Sequence, residues 1–205
     1  RRPEAAHADE ALGTRRFERW RAGAPRVECE HEPLTAAVEK AIDDVGALRL
    51  FDPDGRRLPV IAAGAPWFMT LFGRDALLTA TMALPLDPTL ALGVLRSLAE
   101  LQGVKEDPRS EEQPGRILHE TRFGASTTLA LDQGSTYYGS VDATPLFVVL
   151  LGELSRWGLP EAELRALLPN ADRALSWIED YGDRDGDGFV EYQRMTERGL
   201  ANQGW

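Results

Sequence analysis

The chain has 205 residues, with 23 basic and 33 acidic side chains, a net charge of −10 and a hydrophobic fraction of 43%. That balance argues against nucleic acid as a partner, since phosphate binding needs a clustered basic face, and it disfavours anionic membrane surfaces. No apolar run approaches the roughly 20 residues that span a bilayer, and the single cysteine, Cys29, allows no intramolecular disulfide and suits a reducing cytoplasm.

Residues 1–31 are charged and lack a long apolar period, so they read as a linker or the tail of an upstream domain. Phe17 and Trp20 are placed to make one short amphipathic turn there. The chain opens on Arg1-Arg2-Pro3 and stops at Trp205 inside a motif. The expectation is therefore a segment of a longer polypeptide, with 32–205 as one part of a domain.

Pro33 sits at a helix start, followed by Leu34, Val38, Ala41, Ile42, Val45 and Leu48 at the three- and four-residue spacing of a buried stripe. Asp52-Pro-Asp-Gly55 is a turn signal, and 58–63 reads as a short strand. A second helix is expected over 74–84, with Leu77, Leu78 and Met82 inward, and a third over 88–101, with Pro88 in its first turn. Residues 103–115 read as a polar loop and 116–123 as a hairpin arm. A largely apolar helix, expected to be buried, starts near Ser140 or Asp142 and runs to Trp157. A short helix follows from Leu159-Pro160. Asn170 is placed to cap the next one, whose stripe is Ala171, Ala174, Leu175 and Ile178. The chain is thus mostly helical, with long loops rich in polar, aromatic and glycine residues.

Several clusters in those loops have chemical meaning. Gly73-Arg74-Asp75 opens a helix, where Asp75 favours the helix dipole and Arg74 pairs with it. The same pair beside Trp67, Phe68 and Phe72 also suits a sugar. Aromatic faces stack on its C–H surface, and charged groups hold its hydroxyls through charge-assisted hydrogen bonds. Asp142 reads as a helix N-cap behind Tyr137-Tyr138-Gly139. Glu120 follows His119, and His119 has no Ser or Cys partner pattern for a catalytic triad. Asp183, Asp185, Asp187 and Gly188 match the opening of a calcium loop, but Arg194 stands where the loop's bidentate acid belongs. The other reading is an acidic turn whose aspartates cap backbone amides. No metal and no cofactor is expected.

Ala63-Gly-Ala-Pro-Trp-Phe-Met-Thr-Leu-Phe-Gly-Arg-Asp75, Pro114-Gly-Arg-Ile-Leu-His-Glu120, Tyr137-Tyr-Gly-Ser-Val-Asp-Ala-Thr-Pro145, Asp185-Gly-Asp-Gly-Phe-Val-Glu-Tyr192 and Asn202-Gln-Gly-Trp205 follow one another in order. Together they resemble the bacterial amylo-α-1,6-glucosidase, or glycogen-debranching-type, glycoside hydrolases over residues 34–205. The resemblance implies an all-α fold: about the N-terminal half of an (α/α)6 toroid, with short β-hairpins in its loops. It implies inverting hydrolysis of α-glucosidic bonds in glycogen-like or branched oligosaccharides, by an acid and a base about 6.5–9.5 Å apart. Arg74 and Asp75 would grip the terminal glucose. Trp67, Phe72, Tyr138 and Trp205 would wall the pocket, and Glu120, Asp142 and Gln203 would add polar contacts. The general acid is expected at or just beyond Trp205, and the base on later helices, so the partners implied are a glucan and the remaining half of the toroid. Two alternatives stand beside it. One is a non-catalytic sugar-binding or degenerate toroid, and the other is a trehalase-like or mannosyl-glycoside hydrolase.

Overall fold

The computed structural model describes residues 3–52, 57–122, 136–197 and 199–204. In chain order the elements are α1 (Pro3–Gly23), α2 (Glu32–Ala47), β1 (Arg49–Leu50), β2 (Val60–Ile61), α3 (Gly73–Met82), α4 (Pro88–Glu100), β3 (Glu120–Thr121), β4 (Thr136–Tyr137), α5 (Ala143–Arg156), α6 (Glu161–Arg165) and α7 (Leu168–Trp177). A π-helical turn, Ile178–Gly182, continues α7. The protein is mostly helical, with two small antiparallel sheets. No helix among the described residues is long and apolar enough to cross a membrane.

Residues 3–23 depart from expectation: one long helix stands where the sequence implies a single short turn. The stretch is rich in alanine, glutamate and arginine, all strong helix formers, so it needs no apolar stripe to coil. Trp20 anchors it to α2. Its side chain is buried, and its indole N–H donates to Ile42 O of α2 at 2.8 Å.

Helix starts are set by local chemistry. His31 caps α2 by accepting from Leu34 N at 3.2 Å, and Asp87 caps α4 by accepting from Thr89 N at 2.9 Å, each with a proline in the first turn. The core lies where α3, α4, α5 and α7 pack together. It is filled by Leu77, Leu90, Leu95, Leu98, Ile117, Leu118, Phe147, Leu150 and Leu154, all essentially without solvent contact. Burying one such leucine is worth about 1.5–3 kcal/mol.

Several periodicity readings are corrected. Leu34, Leu78, Met82, Val149 and Leu175 are exposed rather than inward. Helix α3 packs against α4, α5 and β2, which leaves Leu78 and Met82 on its uncovered side. Trp177, at the end of α7, is buried in the place the stripe had given to Leu175. Asn170 lies inside the first turn of α7 instead of capping it. Its amide donates to Ala99 O and Gln102 Oε1 and ties α7 to the end of α4. The expected arm over 116–123 shrinks to β3, because Ile117 and Leu118 are drawn into the core.

Candidate functional site

The site is assembled by a short run of backbone pairing. Thr121 N donates to Leu71 O at 3.0 Å and Gly73 N to His119 O at 2.8 Å, so residues 71–73 lie along β3. His119 N in turn donates to Tyr137 O at 2.8 Å, beside β4. The first residue of α3 must be glycine for this approach, since a Cβ at Gly73 would run into Leu118 O. The pairing carries the start of α3 against the hairpin, and α5 packs on the same helix.

Arg74 therefore stands between two helix starts. Its guanidinium lies 3.8 Å from Asp75 Oδ2 and 3.6 Å from Asp142 Oδ2. All three side chains are partly exposed, at 22%, 36% and 23%. Asp142 occupies the N-cap position of α5, but its carboxylate makes no cap bond. It accepts from the Ser140 hydroxyl instead, and Ser140 Oγ accepts from Ala143 N at 3.4 Å. The hydroxyl thus takes over capping and leaves the carboxylate facing Arg74.

Glu120 is buried and accepts from Arg122 Nε at 2.8 Å. The sequence marks Ser140 only as a possible helix start and does not mark Arg122 at all. Arg122 lies two residues from Glu120, and that spacing puts both on one face of a strand, so it was a readable signal. His119 is buried edge-on between Phe72 and Tyr137, with ring centroids 5.5 and 6.0 Å away. Burial pushes its pKa below the ordinary value, against the opposing pull of Glu120 and Asp75.

The aromatic residues divide. Trp67 is 81% exposed, in the loop that leads to α3. Phe72 is buried against Phe68 and His119, so it supports the site from beneath. Tyr138 is corrected from pocket wall to core residue. Its hydroxyl donates to Leu101 O at 2.8 Å, and burial pushes its pKa up to about 12. Gln203 is likewise corrected from ligand contact to interior support. It has no solvent exposure, and its Oε1 accepts from Arg116 Nη2 at 2.9 Å while its backbone oxygen accepts from Val141 N at 3.0 Å. Trp205 lies outside the described residues.

Arg116 heads a buried network that the sequence reading had placed in a loop and a hairpin arm. It donates to Glu111 O at 2.9 Å and to Ser140 O at 3.4 Å, and its guanidinium lies 5.2 Å from the Trp177 ring centroid. The Glu111 carboxylate accepts from Met195 N at 2.8 and 3.0 Å. Burial lowers the Arg116 pKa to about 10 despite the Glu111 charge. Loop 111–116, the start of α5, Met195 and Gln203 are thereby held together.

The acidic turn brings one carboxylate oxygen from each of Asp183, Asp185, Asp187 and Glu191 within 4.8 Å of one another. Those aspartates also cap the turn itself. Asp183 accepts from Gly186 N and Gly188 N, Asp185 from Asp187 N, and Asp187 from Phe189 N, all at 2.9–3.1 Å. Gly186 and Gly188 adopt φ of 76° and 87°. These bonds account for the turn in the way its composition suggested. Partial desolvation and the adjacent Asp185 carboxylate push the Glu191 pKa up.

Scanned against protein-family models and compared with curated proteins, the chain matches none.

Proposed function

We propose that the Arg74–Asp75–Asp142 cluster holds the terminal hexose of an α-glucosidic oligosaccharide. The domain would be of inverting-glucosidase type, with its helices forming part of an (α/α)6 toroid. One observation carries the reading: a single guanidinium shared by two half-exposed carboxylates at the starts of two helices. Vicinal sugar hydroxyls donate to carboxylates and accept from a guanidinium, and such a cluster offers both at once. Exposed Trp67 in the loop before α3 adds an apolar face for the ring. A neutral ligand also fits a chain of net charge −10.

The ordered motifs support a debranching-type substrate, glycogen-like or α-1,6-branched, and the single free cysteine suits a cytoplasmic setting. By that resemblance the general acid would lie at or just beyond Trp205. Arg74, Asp75 and Asp142 then act as the group that fixes the sugar while an acid and a base act across the bond.

A second reading, binding without turnover, draws on the pairing of the site's own carboxylates. Asp75 and Asp142 face Arg74, and Glu120 is paired with Arg122. The test is calorimetric titration with isomaltose and panose, followed by an anomer-resolved hydrolysis assay on a branched glucan. Saturable binding that is lost in Asp75→Ala, with β-glucose released first, supports the enzyme reading. Binding with no turnover supports the second, and no binding by a folded sample overturns both.

A further inference from the structure

A second feature shares no residue with the proposed sugar site. A cavity of about 550 Å³ lies where α1, β1 and the start of α4 meet. Three arginines line it: Arg16 and Arg19 from α1, and Arg49 from β1. The guanidiniums of Arg16 and Arg49 are fixed by aromatic faces, and Arg19 Nε donates to Arg15 O at 3.3 Å. Arg16 lies 4.3 Å from the Phe51 ring centroid, and Arg49 lies 4.5 Å from that of Trp20 and 5.1 Å from that of Phe51.

The arrangement is unusual in its charge. The chain carries 33 acidic side chains against 23 basic ones. Yet among the described residues none of the three arginines makes an ion pair. Among the described residues Asp87 is the one carboxylate lining the cavity, and its Oδ1 is engaged in capping α4, accepting from both Thr89 N and Thr89 Oγ1. Arg49 spends Nε on Gly46 O at 3.3 Å and one Nη on Arg16 O at 2.9 Å, which fixes its plane. Burial and the nearby charges of Arg16 and Arg19 lower its pKa, against the pull of Asp87. Three like charges gathered around one carboxylate leave an excess of positive charge, and an anion placed between them relieves their repulsion. Planar guanidiniums held at fixed angles suit an oxyanion that accepts several charge-assisted hydrogen bonds.

We propose that this cavity is a binding site for a phosphate group, either the free ion or the phosphate of a small organic monoester. Arg16, Arg19 and Arg49 supply the donors. Phe51 and Trp20 hold two of the guanidiniums in place, and the remaining cavity volume is available to an organic body.

The experiment is isothermal titration of the whole chain with inorganic phosphate and, separately, with phenyl phosphate, in dilute chloride buffer. Calorimetry is preferred to melting, because phosphate raises melting temperatures generally by exclusion from protein surfaces. Saturable binding of either probe is expected. In Arg16→Gln/Arg19→Gln it should weaken about tenfold or more, the loss of one or two hydrogen bonds between charged groups. Both substitutions lie on α1, and an unchanged helical spectrum shows that the variant is folded. Arg49→Lys keeps the charge but not the fork, and should weaken binding as well. Tighter binding of phenyl phosphate identifies a monoester site, and equal affinity identifies a site for the free ion. No saturable heat with either probe, or equal affinity in the folded double variant, overturns the proposal.

Discussion

Arg74 and Arg116 both lie within 4 Å of carboxylate oxygens, yet they do opposite work. Arg116 is sealed in the interior, and its guanidinium donates to Glu111 O, Ser140 O and Gln203 Oε1. Arg74 is partly exposed and sits at the outer limit of ion-pair distance from Asp75 and Asp142. Desolvated charges that lose a partner are costly, whereas half-solvated ones exchange a protein partner for water or ligand at little cost. The contrast teaches that an arginine–carboxylate pair is a structural rivet or a recognition device according to how much water reaches it.

The most damaging substitution should be Arg116→Met. It strands Glu111 and Gln203 in the interior and should destabilise the fold by about 3–5 kcal/mol. Urea denaturation reads this directly, and a loss under about 1 kcal/mol would show that the network is not a rivet. Next in size is Gly73→Ala, which forces α3 away from Leu118 O. Overpacking of this kind should cost about 1–3 kcal/mol, and it should also weaken sugar binding, because the start of α3 carries Arg74. Unchanged stability and affinity together would mean that the 71–73 pairing does not position the site.

Arg74→Gln provides the converse. Its stability should stay within about 1 kcal/mol of the parent, while isomaltose affinity falls by about tenfold or more. Lost stability with intact binding would reverse the roles assigned to the two arginines. The smallest effect concerns pH. Burial holds the His119 pKa below its ordinary value, so the unfolded chain takes up its proton first as pH falls. Stability from this group is present above about pH 6.5 and declines as pH drops below it. Urea midpoints at about pH 7.5 and 5.5 should differ less in His119→Gln than in the parent, and identical differences would refute the assignment.

What the sequence disclosed follows from how physical signals are written in it. The Arg74–Asp75 pair and the helix start at Asp142 were legible because helix ends have strong local chemistry. That Arg74 reaches Asp142, 68 positions away in the chain, was not, since it depends on how α3 and α5 pack. The core of α4 was readable because Leu90, Val94, Leu95 and Leu98 repeat at helical spacing. Helix α1 was missed for the opposite reason: it forms from propensity and one buried tryptophan, with no stripe to detect. Glu111 and Arg116 were read as parts of a loop and an arm because charge ordinarily marks the surface. Only the distant partners at 140, 195 and 203 make their burial tolerable. The arginine cavity shares this character, since Arg16 and Arg49 lie in separate elements and each looks like ordinary surface charge.

Residues 195–197 and 199–203 have no regular secondary structure, yet Met195 N donates to Glu111, Leu200 N to the Tyr137 hydroxyl and Gln203 O accepts from Val141 N. Their amide deuterium uptake should therefore be uneven in a telling way. Met195, Leu200 and Val141 should exchange on the slow timescale of helix interiors, amid coil neighbours that exchange within seconds. Those amides would lose their protection together when Arg116 is replaced, so the coil would open as one cooperative unit with the buried network beneath it.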